Sequence, residues 1–177
     1  VDRRILQEIK DPLIHLVRNC IDHGIEKPEE RERKNKSRRG TVTIAIAHKN
    51  GSKVEVLVSD DGAGVDTAQV RAAAARLSLV SPQAAETMSE QEALALIFQS
   101  GLSTSPLITD LSGRGLGLAI VQEKVEKLGG AISLETRPDA GTTFRLLLPL
   151  TMVTFRGLLV RVEDPRFVIP TTHVERV

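Results

Sequence analysis

The sequence His15-Leu16-Val17-Arg18-Asn19-Cys20-Ile21-Asp22-His23-Gly24 is the stretch from which the fold can be read. On a helical wheel of about 100° per residue, its apolar side chains fall on one side. His15, Asn19 and Asp22 fall on the other, because spacings of four and three residues bring side chains into one row. The stretch therefore predicts a helix with a buried face and a polar row. It should end at Gly24, since glycine readily takes the left-handed conformation found at helix ends.

The remaining sequence predicts further helices and two hairpins. A short helix over residues 2–10 is expected to end before Pro12, because proline disfavours helical geometry in the preceding residue and suits the first turn of a new helix. Hairpins with helices on one face predict an α/β fold, a two-layer α/β sandwich with a mixed, mainly antiparallel sheet. The other predicted helices cover residues 66–77, 90–98 and 114–128, and the predicted strands cover residues 41–48, 53–59, 131–136 and 142–148.

Composition excludes several classes of protein. The 177 residues carry a net charge of +1, so the chain lacks the basic footprint expected for nucleic acid or an anionic membrane. It contains no Trp and no Tyr, which argues against stacking on bases. Its one cysteine, Cys20, excludes an internal disulfide, fits a reducing compartment and is expected to be a small core residue. No apolar run reaches the roughly 18 residues that span a bilayer.

Two segments lie outside this pattern. Residues 26–40 hold eleven charges of both signs, which favours a solvated connection over a binding patch. Residues 151–177 predict two strands that cannot bury a core by themselves. The predicted domains are therefore residues 1–150, with 1–10 as the tail of a preceding helical segment, and residues 151–177 as the truncated start of a second domain.

Asp60-Asp61-Gly62-Ala63-Gly64 follows directly after a predicted strand. A carboxylate at Asp60 can accept a hydrogen bond from the exocyclic amine of adenine, whereas guanine has no donor at that position. Gly62 and Gly64 would let the backbone approach a base closely. The alternative is a plain turn between a strand and a helix, because Asp-Gly is common in turns.

Gly113-Arg114-Gly115-Leu116-Gly117 is predicted to open the last long helix. Free backbone N–H groups and the helix dipole favour an anion such as phosphate at such a position. The spacing matches neither the P-loop nor the dinucleotide-binding fingerprint. A flexible hinge is the alternative. The irregular residues within 79–113 are predicted to act as a lid.

Asn19 offers a neutral carbonyl oxygen, a suitable ligand for Mg²⁺ that is also held by nucleotide phosphates. His15 lies one turn earlier and can exchange a proton near neutral pH. The alternative for both is an ordinary solvent-facing polar stripe. Scattered histidines give no metalloenzyme spacing, and the serines in the 100–105 loop have no Gly-x-Ser-x-Gly elbow nearby, so a serine hydrolase is disfavoured.

Together with Phe98-Gln99-Ser100-Gly101, these motifs resemble in order and spacing the N, G1, F and G2 boxes of the GHKL superfamily. Its members have the Bergerat ATP-binding fold and include sensor histidine kinases, type II topoisomerase subunits and mismatch-repair ATPases. Residues 11–26 and Pro28-Glu29-Glu30-Arg31 narrow the resemblance to the chemotaxis-type kinases, the CheA family. The resemblance covers about residues 2–150, and the tail resembles the start of that family's SH3-like regulatory domain.

One motif departs from the CheA pattern. Gly115-Leu116-Gly117-Leu118-Ala119-Ile120-Val121 is more similar to ordinary sensor kinases. The resemblance therefore leaves open a divergent, chemotaxis-like pathway.

The resemblance implies a role for each motif. Asn19 would bind Mg²⁺, Asp60 would bind the adenine amine, and Thr143 would touch adenine through water. His15 stands where ATP-hydrolysing relatives carry a glutamate that activates water, and a histidine there suits transfer to an imidazole. His15 and Asn19 are the expected catalytic residues. The residues expected to bind Mg-ATP are Asn19, Asp22, His23, Asp60, Gly62, Gly64, Ser103, Arg114, Gly115, Leu116, Gly117 and Thr143.

The implied function is a histidine kinase that binds Mg-ATP and passes the γ-phosphate to a histidine on a separate phospho-acceptor domain. The implied partners are that domain, a response regulator, a CheW-like adaptor and chemoreceptors. The implied setting is a cytoplasmic homodimer associated with membrane receptor complexes, without nucleic acid. Two alternatives remain: a nucleotide-binding scaffold module without transfer, and an ATP-hydrolysing GHKL clamp, which His15 in place of glutamate disfavours.

Overall fold

Four antiparallel strands form the main sheet of the computed structural model, in the spatial order β1-β2-β4-β3. The structure describes residues 1–49, 51–99, 117–151, 157–161 and 166–170. Within these ranges the main sheet has only antiparallel pairs, as the predicted hairpins require. The strands are β1 Val42–Lys49, β2 Lys53–Asp60, β3 Ala131–Arg137 and β4 Gly141–Pro149, and the helices are α1 Arg3–Asn19, α2 Pro28–Arg33, α3 Thr67–Arg76, α4 Pro82–Thr87, α5 Glu90–Leu96 and α6 Gly117–Lys127.

Helices α1 and α6 cover one face of this sheet. Alternate residues of β2 and β4 point to that face, because side chains alternate across a strand. Val58 and Leu146 are fully buried there, and Val125 of α6 is equally buried against them. The predicted two-layer α/β arrangement is therefore confirmed. The core residues of this layer are Ile5, Ile9, Leu16, Cys20, Val54, Val56, Val58, Phe98, Val121, Val125, Leu128, Phe144, Leu146 and Leu148.

The predicted helix boundary at Pro12 is wrong. Helix α1 runs without a break from Arg3 to Asn19, with Pro12 inside it. The buried residues Ile5, Ile9, Pro12 and Leu16 follow one another at spacings of four, three and four, so one stripe faces the sheet along the whole helix. An interior proline destabilises a helix by about 3 kcal/mol. Burying these large side chains contributes about 1.5–3 kcal/mol for each, which outweighs that penalty.

The helix ends at Gly24 as predicted, but Gly24 does not take the predicted left-handed conformation, and the last turn is wider than expected. Cys20–Gly24 form a π-helical turn, in which the backbone N–H of Ile25 donates to the carbonyl of Cys20 at 2.9 Å. This π turn begins directly after Asn19 and ends at Gly24. Turns of this kind are rare and often occur at functional sites.

The charged segment 26–40 is not simply a solvated connection. It contains α2, and the side chain of Arg31 on this helix is only 2% exposed. Arg31 forms ion pairs with Glu26 and with Asp61, the residue that follows β2. The mixed charges therefore belong partly to a buried network, although most of the segment remains exposed.

Helices α3, α4 and α5 pack around a smaller apolar cluster of Val70, Ala74, Ala93 and Leu96. Helices α3 and α5 lie where the sequence predicts them. Helix α4 was predicted as irregular chain, because its six residues are too few to show an apolar period. Its start is fixed by Ser81, whose hydroxyl accepts a hydrogen bond from the Ala84 N–H.

A second, two-stranded antiparallel sheet consists of β5 Gly157–Arg161 and β6 Arg166–Pro170. These strands agree with the hairpin that the sequence predicts for this segment. The assignment of residues 151–177 to a separate domain stays a prediction. Across the part of the chain that the structure describes, no helix is both long enough and apolar enough to cross a membrane.

Two substitutions in α6 test the packing of this helix against the sheet. Val125→Ala should lower the free energy of unfolding by about 2 kcal/mol, because it removes buried methyl groups and leaves a cavity. Ile120→Ala is the matched control, since Ile120 is 47% exposed and gains the same helix propensity. Its loss should stay below about 1 kcal/mol in urea unfolding. Equal losses in the two variants would contradict the assigned orientation of α6.

Candidate functional site

The carboxylate of Asp60 lies at the end of β2 and is held by backbone donors from two sides. Its Oδ1 accepts hydrogen bonds from the Gly62 N–H at 2.9 Å and from the Thr142 N–H at 3.3 Å. Asp60 is 8% exposed. The β2 end, the following turn and the start of β4 therefore meet at one charged group.

Glycines make this close approach possible. A Cβ at Gly62 would lie 1.9 Å from the carbonyl oxygen of Gly24, and a Cβ at Gly24 would lie 2.8 Å from Asp60 Oδ2. Gly141 has φ +102°, and a Cβ there would lie 1.9 Å from the carbonyl oxygen of Asp60. The Ala63 N–H donates to the Gly24 carbonyl at 2.9 Å, which ties the π turn to the turn after β2. A side chain at any of these glycines would push the segments apart.

Cys20 lies next to Asp60 on the apolar side of this contact between the π turn, β2 and β4. It is 1% exposed, as predicted for a core residue. Burial and then the negative charge and hydrogen bonding of Asp60 raise the pKa of the Cys20 thiol to about 12. The thiol therefore stays protonated beside the carboxylate.

A second group of side chains surrounds His15 on the polar row of α1. A Cβ at Gly117, the first residue of α6, would lie 2.2 Å from His15 Nε2, so the ring packs directly on the glycine backbone. Burial, followed by the charges of Arg18 and His23, lowers the pKa of His15. Its imidazole is therefore neutral at pH 7. The last turn of α1 and the π turn thus connect the His15 group with the Asp60 group.

Asn19 joins the two groups, because it precedes Cys20 and lies one turn after His15. The Asn19 Nδ2 atom is buried and has no hydrogen-bond partner within the described residues. A carboxamide can exchange its nitrogen and oxygen by a half-turn of its terminal bond, so this uncommitted end can equally present the carbonyl oxygen. Such an orphaned polar end suits a hard cation or another polar ligand.

The described residues contain no cluster of three or more His, Cys, Asp and Glu side chains that could hold a metal by itself. One amide oxygen fits Mg²⁺ only if other ligands complete the shell. Mg²⁺ characteristically keeps several waters and takes substrate phosphates as ligands. The residues present therefore fit a nucleotide-bound Mg²⁺ and do not fit a permanent protein cage.

The sheet geometry places Thr143, which stays a predicted adenine contact, in a pair on β2 and β4. Thr143 pairs with Ser59, and the two hydroxyls are 3.0 Å apart. Since strand residues alternate, this pair lies on the sheet face opposite to Asp60. Thr142 lies on the Asp60 face, is 5% exposed and donates its backbone N–H to the carboxylate. The alternation of buried residues along β4 was the signal that would have identified Thr142.

The other predicted residues divide into three sets. Asp22 and His23 lie on the π turn and are exposed, so they face solvent beside Asn19. Gly64 has φ +77° and packs on the carbonyl of Arg137. The predicted residues Ser103, Arg114, Gly115 and Leu116 lie outside the described residues.

Sequence reasoning missed the charged support under the Asp60 turn. Arg31 and Lys36 both contact the carbonyl oxygen of Asp61, and Glu26 pairs with both cations. These residues lie in a run of eleven charges, where nothing in the pattern separates a buried charge from a solvated one. Pro28-Glu29-Glu30-Arg31 entered the family resemblance, but without a structural role.

Comparison with known proteins confirms the predicted resemblance to CheA-type histidine kinases. The sequence profile of the family described as histidine kinase-, DNA gyrase B-, and HSP90-like ATPase matches residues 8–152. Sensor histidine kinase CheAY of Helicobacter pylori is 40% identical over 174 residues, which are 98% of this chain and 22% of that protein. Chemotaxis protein CheA of Bacillus subtilis is also 40% identical over 174 residues, 98% of this chain and 26% of that protein. The chain thus spans about a quarter of the length of these relatives.

A solved structure supports the fold assignment. Full-length ShkA in complex with AMPPNP superposes with a TM-score of 0.52 and 21% sequence identity, over 82% of this chain and 22% of that chain. At this identity the similarity concerns the fold alone. It agrees with the predicted two-layer α/β sandwich.

The environment of His15 predicts its titration. By NMR, the midpoint of His15 should lie below 6.5, because the folded protein disfavours the charged imidazole. The unfolded chain then binds more protons, so stability should fall as the pH drops below about 6.5. Arg18→Gln should raise the midpoint only in part, because burial is the larger cause.

Arg4→Gln is the matched control for this titration. Arg4 lies on the same helix about 16 Å away, beyond the Debye length of about 10 Å, so its loss should leave the midpoint unchanged. A His15 midpoint above 6.5 in the unsubstituted chain would be incompatible with the described environment.

Proposed function

The chain belongs to the histidine kinase-, DNA gyrase B- and HSP90-like ATPase family, and we propose that it binds Mg-ATP and transfers the γ-phosphate to a histidine on a separate phospho-acceptor domain. The observation that carries this proposal is the π turn. This turn joins a buried carboxylate suited to adenine with a polar row suited to phosphates. Both ends of a nucleotide can thus be recognised by one continuous segment and its neighbours.

Asp60 is the proposed base-recognition residue. Its Oδ1 is already bonded to two backbone N–H groups, which fixes the plane of the carboxylate. The proposed acceptor for the adenine amine is Oδ2. A carboxylate has no hydrogen to donate at neutral pH, so it favours the 6-amino group of adenine over the 6-oxo group of guanine.

Asn19 and His15 are proposed for the phosphate end. Asn19 would bind a Mg²⁺ ion that neutralises charge on the phosphates, and His23 and the Gly117 backbone would contact the phosphates themselves. In the transfer, a ring nitrogen of the acceptor histidine bonds to the γ-phosphorus, the bond from that phosphorus to the β,γ-bridging oxygen breaks, and ADP leaves. A neutral His15 can accept the proton released by the acceptor imidazole.

Catalysis on this proposal is mostly positioning and charge neutralisation, as is typical of phosphoryl transfer. On the family resemblance, the histidine at position 15 favours transfer over hydrolysis, because ATP-hydrolysing relatives carry a water-activating glutamate there. The relatives are named for chemotaxis and sensor kinase activity. On their example we propose a response regulator downstream, a CheW-like adaptor, chemoreceptors, a homodimer in the whole protein and a cytoplasmic location.

Asn19→Ala tests the metal assignment. It should lower phosphotransfer from γ-labelled ATP to a supplied phospho-acceptor domain by at least about 100-fold, because the proposed ligand for Mg²⁺ is lost. Gln122→Ala removes a carboxamide from the exposed side of α6 and should leave the rate unchanged. An Asn19→Ala chain that still labels the acceptor at the normal rate would exclude this role.

Asp60→Asn tests the base assignment. It keeps the size of the side chain but turns one acceptor into a donor, so calorimetry with Mg-ATP should show affinity reduced about 10- to 100-fold. Asp11→Asn is the control, because the Asp11 side chain is 75% exposed. Tight ATP binding by the Asp60 variant would argue against the proposed pocket.

The same assays separate the two alternatives from kinase activity. A scaffold module would bind ATP without labelling the acceptor domain. An ATP-hydrolysing clamp would release inorganic phosphate steadily without any acceptor. The kinase proposal requires acceptor labelling and little release of phosphate.

A further inference from the structure

The turn that follows Asp60 rests on a buried group of charges. Arg31 donates from Nε to the Ser37 carbonyl at 2.6 Å, from one terminal nitrogen to the Asp61 carbonyl at 3.1 Å, and from the other to Asp61 Oδ2 at 2.9 Å. The first terminal nitrogen also reaches Glu26 Oε2 at 3.2 Å. All three guanidinium nitrogens are thus engaged, two of them with Asp61.

Lys36 holds the same turn from a second direction. Its Nζ donates to the carbonyl oxygens of Asp61 at 2.9 Å and Gly62 at 2.6 Å, and to Glu26 Oε1 at 2.9 Å. The Asp61 carboxylate accepts a further hydrogen bond from the Thr41 N–H at 2.9 Å. Arg31, Lys36, Glu26 and Asp61 therefore form one network, and Lys34 joins its edge with Nζ 3.5 Å from Glu26 Oε1.

The carboxylates of this network are ionised at neutral pH. Burial raises the pKa of Glu26, but the hydrogen bond from Lys36 and a backbone N–H outweigh it, and the pKa is lowered. Burial also opposes ionisation of Asp61, whereas the Thr41 N–H and the Arg31 guanidinium lower its pKa overall. The Glu26 and Asp61 carboxylates therefore carry their negative charge at neutral pH.

The network acts on the peptide groups that orient Asp60. The carbonyl oxygens of Asp61 and Gly62 point to the cations, and the Gly62 N–H belongs to the same peptide group as the Asp61 carbonyl. That N–H donates to Asp60 Oδ1 at 2.9 Å. Since a peptide group is planar, fixing its carbonyl also fixes the direction of its N–H. A restraint at Arg31 is thus passed to the Asp60 carboxylate in a single step.

A contribution to the stability of the fold does not by itself explain why these charges are buried together. Buried ion pairs contribute little net stability, because removing both charges from water opposes their attraction. Geometric restraint gives a better reason, since the planar fork of Arg31 matches a carbonyl and a carboxylate at once. A lysine at this position keeps the charge but offers no planar fork.

We propose that Arg31 is a positioning residue for adenine recognition, fixing the Asp60–Gly62 turn so that the Asp60 carboxylate faces the 6-amino group of the base. This inference rests on the proposed function, because it names Asp60 as the adenine contact. Arg31 itself does not touch the nucleotide. Its effect should therefore appear in base selectivity.

Selectivity can be measured with two nucleotides that differ in one group. The chain is titrated by calorimetry with Mg²⁺ and either ATP or purine riboside triphosphate, which lacks the 6-amino group. The unsubstituted chain should favour ATP by about tenfold or more, the range for a hydrogen bond to a charged acceptor. Arg31→Lys should lower that preference at least about threefold.

Arg38→Lys is the matched control. Arg38 lies in the same segment, its side chain is 64% exposed, and it pairs only with the surface residues Glu29 and Glu32 among the described contacts. The same chemical change there should leave the preference for ATP unaltered. If Arg31→Lys fails to fold by circular dichroism, Lys36→Met carries the test, since Lys36 donates to the Asp61 carbonyl that Arg31 also contacts and to the next carbonyl, that of Gly62.

The outcomes separate this inference from the proposed function. Equal loss of affinity for both nucleotides in Arg31→Lys, or in Lys36→Met, would overturn the positioning role and leave Asp60 as the adenine contact. An unsubstituted chain without any preference for ATP would remove the Asp60 contact itself and with it both claims. A selective loss of ATP affinity in the Arg31 or Lys36 variants, absent in the Arg38 variant, is the supporting result.

Discussion

The buried carboxylate of Asp60 is the constraint on which the rest of the site depends. A charged group with 8% exposure needs hydrogen-bond donors, and Gly62 and Thr142 supply them from two different strand ends. These donors reach the carboxylate only because Gly24 and Gly141 let three backbone segments meet without Cβ atoms. The first two motifs and the start of β4 therefore share one point of contact.

The parts of this arrangement that could be predicted are those with a period or a local signature. Val54, Val56 and Val58 alternate along β2, and Val121, Val125 and Leu128 recur at helical spacing along α6, so the buried face of each element follows from its sequence. The break at Pro12 was wrong because local proline rules cannot register the burial of a whole helix against a sheet. The family resemblance pointed to Thr143, whereas the strand alternation puts Thr142 on the face of Asp60.

The buried charges could not be predicted for a different reason. Arg31 and Arg38 stand seven residues apart in a uniformly charged segment, yet the side chain of one is 2% exposed and that of the other 64%. What separates them is a contact with Asp61, thirty residues further along the chain. No local pattern contains that information. Which side chains of this charged segment are buried therefore depends on the turn that the segment packs against, and the composition of the segment does not predict it.

The protonated state of Cys20 has a practical consequence for studying the chain in solution. Burial and the neighbouring Asp60 carboxylate raise the pKa of the Cys20 thiol to about 12, so almost no thiolate forms at pH 7, and the side chain is 1% exposed. Maleimide and iodoacetamide reagents, which attack through the thiolate, will leave Cys20 unlabelled in the folded protein. Because the sequence has no other cysteine, a single cysteine introduced at an exposed position would carry a fluorophore or spin label without any prior removal of native thiols. The buried position of Cys20 beside Asp60 thus makes the chain suitable for site-directed labelling.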